Sequence, residues 1–345
     1  MERPKRRYRV GDRKAEELID ELVASFAKPG REDFLREILT TAVKVGMEQF
    51  DEGNLKLINT SLKELRYAFK ILSPYRKVRK VVIFGSARTP QNSPEYKMAE
   101  ALAREVVKRG FLVMTGASTG IMEAGNKGAG KGKSFGASIR LPEEQEINPF
   151  IEHSPRLINF KYFFTRKLIF IKESDATAVF PGGFGTHDEV FEILTLVQTG
   201  KTNPRPIVFV EPSTGSYWDD WRGFIEKRFL NPGYISPEDI KIFSIVKGVK
   251  EAADEIERFY RVYHSVRYVG DKTVLRLNRS VSESILVTLR RDFSDILDGS
   301  VELSGPLPEE REDNDLLDLP RIVMGFNRTS FGRLKELIGT LNRLG

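Results

Sequence analysis

Apolar residues recur at three- and four-residue intervals over 32–47 and again over 55–72, the spacing of amphipathic helices, and Pro74 ends the second run. Beyond residue 75 the pattern changes. Residues 78–84 form a short β-branched run closed by Gly85, as a strand buried on both faces requires. A helical pattern over 95–109 stops at Gly110, and 111–114 is the next strand. The alternation then predicts helix 121–129, strand 135–139, helix 160–172, strand 176–180, helix 189–199, strand 206–210, and helices 217–229 and 251–263. Strand–helix alternation at this rhythm predicts an α/β fold, a Rossmann-like doubly wound parallel sheet. Ligands in such sheets sit beyond the carboxyl ends of the strands, so the loops after Met114 and Phe180 are the places to look.

After His264 the rhythm shifts to strands at 273–277, 301–304 and 321–326, with helices at 282–297 and 331–344 and an acidic, Pro-containing loop at 306–318. The expected organisation is an N-terminal helical region with a basic tail over 1–75, a Rossmann-like domain over 76–265, and a small C-terminal α+β domain over 266–345.

Composition narrows the chemistry. The chain has no cysteine, which removes disulfides, thiolate nucleophiles and thiolate metal sites. His153, His187 and His264 lack metal-ligand spacing, so no metal is expected. No apolar run approaches the ~20 residues of a membrane span, and the first residues lack the apolar core of a secretory signal. Cytoplasm is the expected location, and no membrane partner is expected. Net charge is +6, from 55 basic and 49 acidic residues. Much of that excess sits in Arg3, Lys5, Arg6, Arg7, Arg9, Arg13 and Lys14, which read as a solvated, frayed tail rather than a nucleic-acid footprint.

Two glycine loops stand out. The first is Thr115-Gly116-Ala117-Ser118-Thr119-Gly120, followed by Ile121-Met122-Glu123-Ala124. Small residues between strand and helix let the backbone approach a ligand, and the helix N-terminus offers free amides to an anion. The second is Pro181-Gly182-Gly183-Phe184-Gly185-Thr186-His187-Asp188-Glu189, with three glycines in four positions. Thr186 and Glu189 have the spacing of a capping box, with Glu189 in the first turn of the following helix, but a cap does not account for the glycines before them. A third element, 160–170, is apolar nearly all round yet carries Arg166. A buried arginine needs an anionic partner, so Arg166 is a candidate site residue.

Other motifs compete. Gly116-Ala117-Ser118-Thr119-Gly120 fits a nucleophile elbow, and Asp188 and His264 would complete a serine-hydrolase order with Ser118. That reading leaves the second loop and Arg166 without work. Gly125 to Lys131 has P-loop spacing, but Gly132 stands where a hydroxyl residue should. No dinucleotide fingerprint occupies Gly85-Ser86-Ala87-Arg88.

The second loop resembles the P-G-G-x-G-T-x-x-E signature of the Lonely-guy phosphoribohydrolases, whose members have often been labelled "possible lysine decarboxylase". The first loop is similar to the family's T-G-G-G-P-G-I-M-E-A element, with Ala117, Ser118 and Thr119 replacing G, G and P. Gly85-Ser86-Ala87-Arg88-Thr89, Arg166-Lys167 and Leu194-Thr195-Leu196-Val197-Gln198-Thr199-Gly200-Lys201 extend the likeness over about 78–263. Asp188 stands where many members have Glu. The first-loop replacements remove glycine freedom where the backbone meets the ligand.

The resemblance implies an enzyme that hydrolyses the base–ribose bond of nucleoside 5′-monophosphates, with Arg166 and Glu189 as the catalytic pair. Gly182, Gly183, Gly185 and Thr186 would hold the 5′-phosphate; Ser86, Gly116, Gly120, Met122 and Glu123 would line the nucleotide pocket. It implies a homo-oligomer and requires no cofactor. The label of decarboxylase finds no support in the residues, since no lysine is marked out for pyridoxal phosphate. Two alternatives stay open at this point: a non-catalytic nucleotide- or molybdenum-cofactor-binding module, and a serine hydrolase using Ser118.

Overall fold

The computed structural model describes residues 8–141, 146–311 and 315–345, which form two compact units, one up to Lys63 and one from Glu64 to Gly345. In the first unit lie helices α1 (Arg13–Phe26) and α2 (Glu32–Met47), and α3 (Glu52–Leu72) runs from the first unit into the second. Asp12 caps α1 by accepting from the Ala15 amide. The frayed-tail expectation is therefore corrected for Arg13 and Lys14, which are helical, while Arg3, Lys5, Arg6 and Arg7 lie outside the described residues. Among the described residues no helix is long and apolar enough to cross a membrane.

The second unit holds a seven-stranded, wholly parallel sheet. In chain order its strands are β1 (Lys80–Phe84), β2 (Leu112–Thr115), β3 (Ser134–Ile139), β4 (Leu157–Phe160), β5 (Ala176–Val179), β6 (Ile207–Val210) and β7 (Ser244–Val246). Their spatial order is β4-β3-β2-β1-β5-β6-β7. The fold is the α/β, Rossmann-like doubly wound arrangement expected. Alternation along each strand splits the core into two layers. Val81 and Ile83 face one and Val82 and Phe84 the other. Helices α4 (Pro94–Lys108), α5 (Ile121–Ala129) and α9 (Val249–Phe259) cover the Val81 side; α3, α6 (Phe163–Glu173), α7 (Phe184–Gln198) and α8 (Tyr217–Ile225) cover the Val82 side.

Three strands depart from the pattern read in the sequence. β4 is four residues long and ends where a helix was expected to begin, and β7 has only three residues. Both are too short for a periodic signal. The expected helix over 251–263 stops at Phe259, because Tyr263 opens β8 (Tyr263–Val269).

The remaining elements build a four-stranded antiparallel sheet, ordered β10-β11-β9-β8, from β8, β9 (Lys272–Leu277), β10 (Leu297–Ser304) and β11 (Arg321–Phe326). Helices α10 (Glu283–Asp292) and α12 (Phe331–Leu344) bury Leu286, Leu289, Leu334 and Leu337 in its core. The acidic loop expected at 306–318 instead contains a turn of helix, α11 (Pro308–Arg311), and its Glu310 is fully buried.

Helix α12 also reaches the parallel sheet's helices. Gly200, just past α7 with φ +68°, lies so close under the Phe331 ring that an added Cβ would sit 2.0 Å from it. Lys335 Nζ donates to the Ile242 carbonyl at 2.5 Å.

Candidate active site

The strand order reverses between β1 and β5, so the loops that follow these two strands lie side by side. They are tied together where they leave the sheet: Phe180 N–H donates to the Phe84 carbonyl at 2.8 Å and Ser86 N–H to the Pro181 carbonyl at 3.2 Å. This is the crevice where doubly wound sheets bind ligands. A cavity of about 930 Å³ opens there.

The second glycine loop forms one wall. Gly182 must be glycine, because a Cβ there would lie 2.1 Å from Thr186 Oγ1 and 3.0 Å from the Ser86 amide. Gly183 is the N-cap of α7, and the first intrahelical bond runs from His187 N–H to the Gly183 carbonyl at 3.1 Å. The amides of Phe184, Gly185 and Thr186 precede that bond and end the helix facing the cavity, an arrangement suited to a phosphate. The helix thus begins five residues earlier than expected. Glu189 stands in its second turn, and the N-cap has no side-chain bond, so Thr186 and Glu189 do not form a capping box. Tyr217 OH donates to the Gly182 carbonyl at 2.5 Å and the His187 ring Nδ1 to the Gly183 carbonyl at 3.0 Å, which fix the loop's backbone.

Arg166 and Glu189 meet on the cavity lining, Nη2 to Oε1 at 3.7 Å, with side chains only 12% and 7% exposed. The guanidinium lies between the rings of Phe163 and Phe170, at 5.0 and 5.5 Å from their centroids. The pair is not saturated. Arg166 Nε and Glu189 Oε2 are buried and have no hydrogen-bond partner among the described residues. Buried polar atoms are ordinarily paired, so the pair keeps bonding capacity that its protein neighbours do not use. Burial pushes the Glu189 carboxyl up to about 7, against the pull of Arg166 and Lys167. Burial likewise lowers Arg166, against Glu189 and Asp188. A carboxyl poised near neutrality can hold or move a proton at working pH. Lys167 Nζ holds Asp188 at 2.8 Å beside the pair.

Ser86, Gly116 and Met122 also line the cavity, Ser86 beside Gly182 and Gly116 beside Arg166, and so does the exposed Arg88, to which no motif assigned a role. Gly120 and Glu123 lie outside the lining. Gly120 caps α5, and the Glu123 carboxylate is engaged by Gln91 Nε2 at 2.7 Å and Tyr96 OH at 3.0 Å. In the first loop, Ala117 adopts φ +65°. The left-handed backbone that glycine would take freely is therefore kept in spite of a Cβ. A buried clamp holds it: the Asn148 backbone and side-chain N–H groups donate to the Ala117 carbonyl at 2.9 and 3.0 Å, and Thr115 Oγ1 accepts from the Ala117 amide at 3.0 Å.

The serine-hydrolase reading fails on geometry. Ser118 is buried in the loop beyond the carboxyl end of β2. His264 is on β8, its carbonyl held by Arg79, the residue that precedes β1 at the opposite end of the sheet. Burial, with Arg79 and Arg276, lowers His264 to about 4, so it stays neutral at working pH. Asp188 is occupied by Lys167.

A family model described as "Possible lysine decarboxylase" matches residues 114–256, the stretch that holds both glycine loops, Arg166 and Glu189. This stretch is similar to the Lonely-guy family. A cytokinin riboside 5′-monophosphate phosphoribohydrolase of Mycobacterium tuberculosis is 29% identical over 168 residues, 48% of this chain and 87% of the relative. A protein of the same name from Arabidopsis thaliana is 26% identical over 187 residues, 53% of this chain and 84% of its own length. Both span nearly all of the relative and about half of this chain, so the Lonely-guy likeness leaves much of the chain unmatched. A solved molybdenum cofactor binding protein from Rippkaea orientalis is similar at 18% identity over 51% of this chain and 94% of its own, with a TM-score of 0.37. The matched stretch runs from the end of β2 to α9; α1, α2, β1, α4 and the β8–β11 sheet lie outside it.

Proposed function

We propose that the protein hydrolyses the N-glycosidic bond of nucleoside 5′-monophosphates, AMP-like or N6-substituted, to free base and ribose 5-phosphate. The observation that carries this reading is the unsaturated Arg166–Glu189 pair facing the same cavity as the free amides of α7. The amides of Phe184, Gly185 and Thr186, with Gly183 at the N-cap and the bare Cα of Gly182, hold the 5′-phosphate. Binding energy from that non-reacting group then fixes the ribose against the reacting one.

As the bond from C1′ to the base lengthens, positive charge builds on the ribose. The Glu189 carboxylate stabilises that charge and takes a proton from the water that attacks C1′. The base leaves with the bonding pair and takes up the proton that Glu189 drew from the water, which restores the carboxylate. Arg166 favours the ionised form of Glu189 without a hydrogen bond to it, and brings positive charge to the side of the departing nucleotide. Ser86, Gly116 and Met122 line the cavity around the nucleotide. The cytoplasm and a homo-oligomeric state belong to the same reading.

A base-release assay tests it. Purified protein is given AMP, GMP, CMP, UMP, IMP and an N6-substituted AMP, with Glu189→Gln in parallel. Free base and ribose 5-phosphate from the wild type, lost in the variant, are expected. Retention of nucleotide with no release from any of them would make the chain a non-catalytic nucleotide-binding module.

A further inference from the structure

The helix that carries Arg166 has no cap of its own. Tyr162 occupies the N-cap of α6 and makes no side-chain bond to the helix. What holds that end is a carboxylate from far upstream. Glu64, on α3 and buried, accepts from the Lys161 amide at 2.5 Å and from Thr165 Oγ1 at 2.6 Å. A negative group at a helix N-terminus is favoured by the backbone dipoles as well as by the hydrogen bonds. Thr165 is the residue next to Arg166, so the bond fixes both the height and the rotation of the first turn. Glu64 is outside the cavity lining and outside the family-matched residues.

The site depends on that register. At 3.7 Å, no hydrogen bond closes Arg166 onto Glu189. Their separation is therefore set by where α6 and α7 stand. We propose that Glu64 is a positioning residue for Arg166: by anchoring the first turn of α6 it sets the spacing of the Arg166–Glu189 pair. The consequence for turnover rests on the hydrolase reading; the consequence for the pair does not. The charged groups that act on Glu189 are Arg166 and Lys167 of α6 and Asp188 and Glu192 of α7. Loosening α6 withdraws the two cations and leaves burial and the two acids, so the Glu189 carboxyl titrates higher.

The test uses the full chain labelled with ¹³C at glutamate carboxyls. The Glu189 resonance is assigned by its loss in Glu189→Gln and followed through a pH titration. In Glu64→Ala its midpoint is expected to rise by about one pH unit. In Glu64→Gln it is expected near the wild-type value, because the amide oxygen still accepts from Lys161. Thr165→Val, which removes one of the two bonds and keeps Glu64, is the second variant if Glu64→Ala does not fold. In the base-release assay, Glu64→Ala should lower kcat about tenfold with little change in KM, since α7 holds the phosphate. An unmoved midpoint in folded Glu64→Ala, or in Thr165→Val where Glu64→Ala fails to fold, overturns the proposal. A raised midpoint in a protein whose wild type releases no base keeps the positioning role and removes the hydrolase reading.

Discussion

Two buried carboxylates in the second unit face buried arginines, and they differ in every other respect. Glu310 is enclosed by Arg276 and Arg321, with Arg276 Nη2 at 2.7 Å, Arg276 Nε at 2.9 Å and Arg321 Nε at 2.9 Å, and it also accepts from the Leu307 amide at 3.2 Å. Burial alone would raise that carboxyl, but the hydrogen bonds from Arg321 and Arg276 together hold it below its ordinary value. Glu189 has one arginine, at 3.7 Å, an oxygen without a partner, and a carboxyl pushed up to about 7. The same residue types thus give opposite shifts. What decides between them is whether the hydrogen bonds are complete. The saturated cluster holds the C-terminal sheet to the α11 turn and has nothing left to offer a ligand. The unsaturated pair is held together by its surroundings and keeps donor and acceptor open.

The contrast can be broken most sharply at Glu189. Glu189→Gln should lower kcat for base release by about 10²–10⁴-fold while leaving the circular dichroism spectrum unchanged. Turnover within tenfold of wild type would take Glu189 out of the chemistry. Glu310→Gln should do the reverse. With two buried guanidiniums left short of charge, unfolding free energy should fall by about 3–5 kcal/mol in urea titrations, and the folded fraction should retain its activity per molecule. A loss under about 1 kcal/mol would mean that the cluster does not hold the sheet.

A pH series sharpens the comparison further. A carboxyl raised in the folded state from its ordinary 4.5 to about 7 favours folding while protonated, and that contribution is lost as pH rises from 4.5 through 7. Between pH 5 and 8 the wild type should therefore lose about 2 kcal/mol of stability relative to Glu189→Gln. Parallel stability curves for the two proteins would contradict the raised carboxyl. The comparison is made against the variant because His264, lowered to about 4, acts in the opposite sense in both proteins. The smallest effect is expected at the first loop. Ala117→Gly removes the cost of φ +65° but gives the unfolded chain more freedom, so stability should change by less than about 1 kcal/mol and kcat by less than twofold. A large loss of activity would show that the Ala117 methyl group itself shapes the nucleotide pocket.

Local pattern made the α/β class, the second loop and Arg166 legible, because each is written in a few consecutive residues: β-branched runs, clustered glycines, a charge on an apolar helix. Long-range pairing left no such trace. That β1 lies beside β5, which creates the crevice, follows from strand order and cannot be read from either strand. Asn148 and Glu64 carry no motif, and the partners of Glu64 are 97 and 101 residues away. The buried Glu310 was hidden for the opposite reason. It sits in an acidic stretch that reads as solvated surface, and only Arg276 and Arg321, brought in on separate strands, make its burial tolerable. The capping-box spacing of Thr186 and Glu189 was real as a spacing, but glycine freedom let the helix start earlier.

The seat of Phe331 on Gly200 has a consequence for the order in which the molecule can be made. The ring closes over the end of the helix that carries Glu189, yet it is supplied by α12, which leaves the ribosome long after that helix. The helix can form as soon as it emerges, but its far end stays uncovered until α12 arrives. A nascent chain arrested before Phe331 should accordingly be digested by protease within α7, and a chain released with α12 should not. The cover over the helix that carries Glu189 is then acquired late in synthesis.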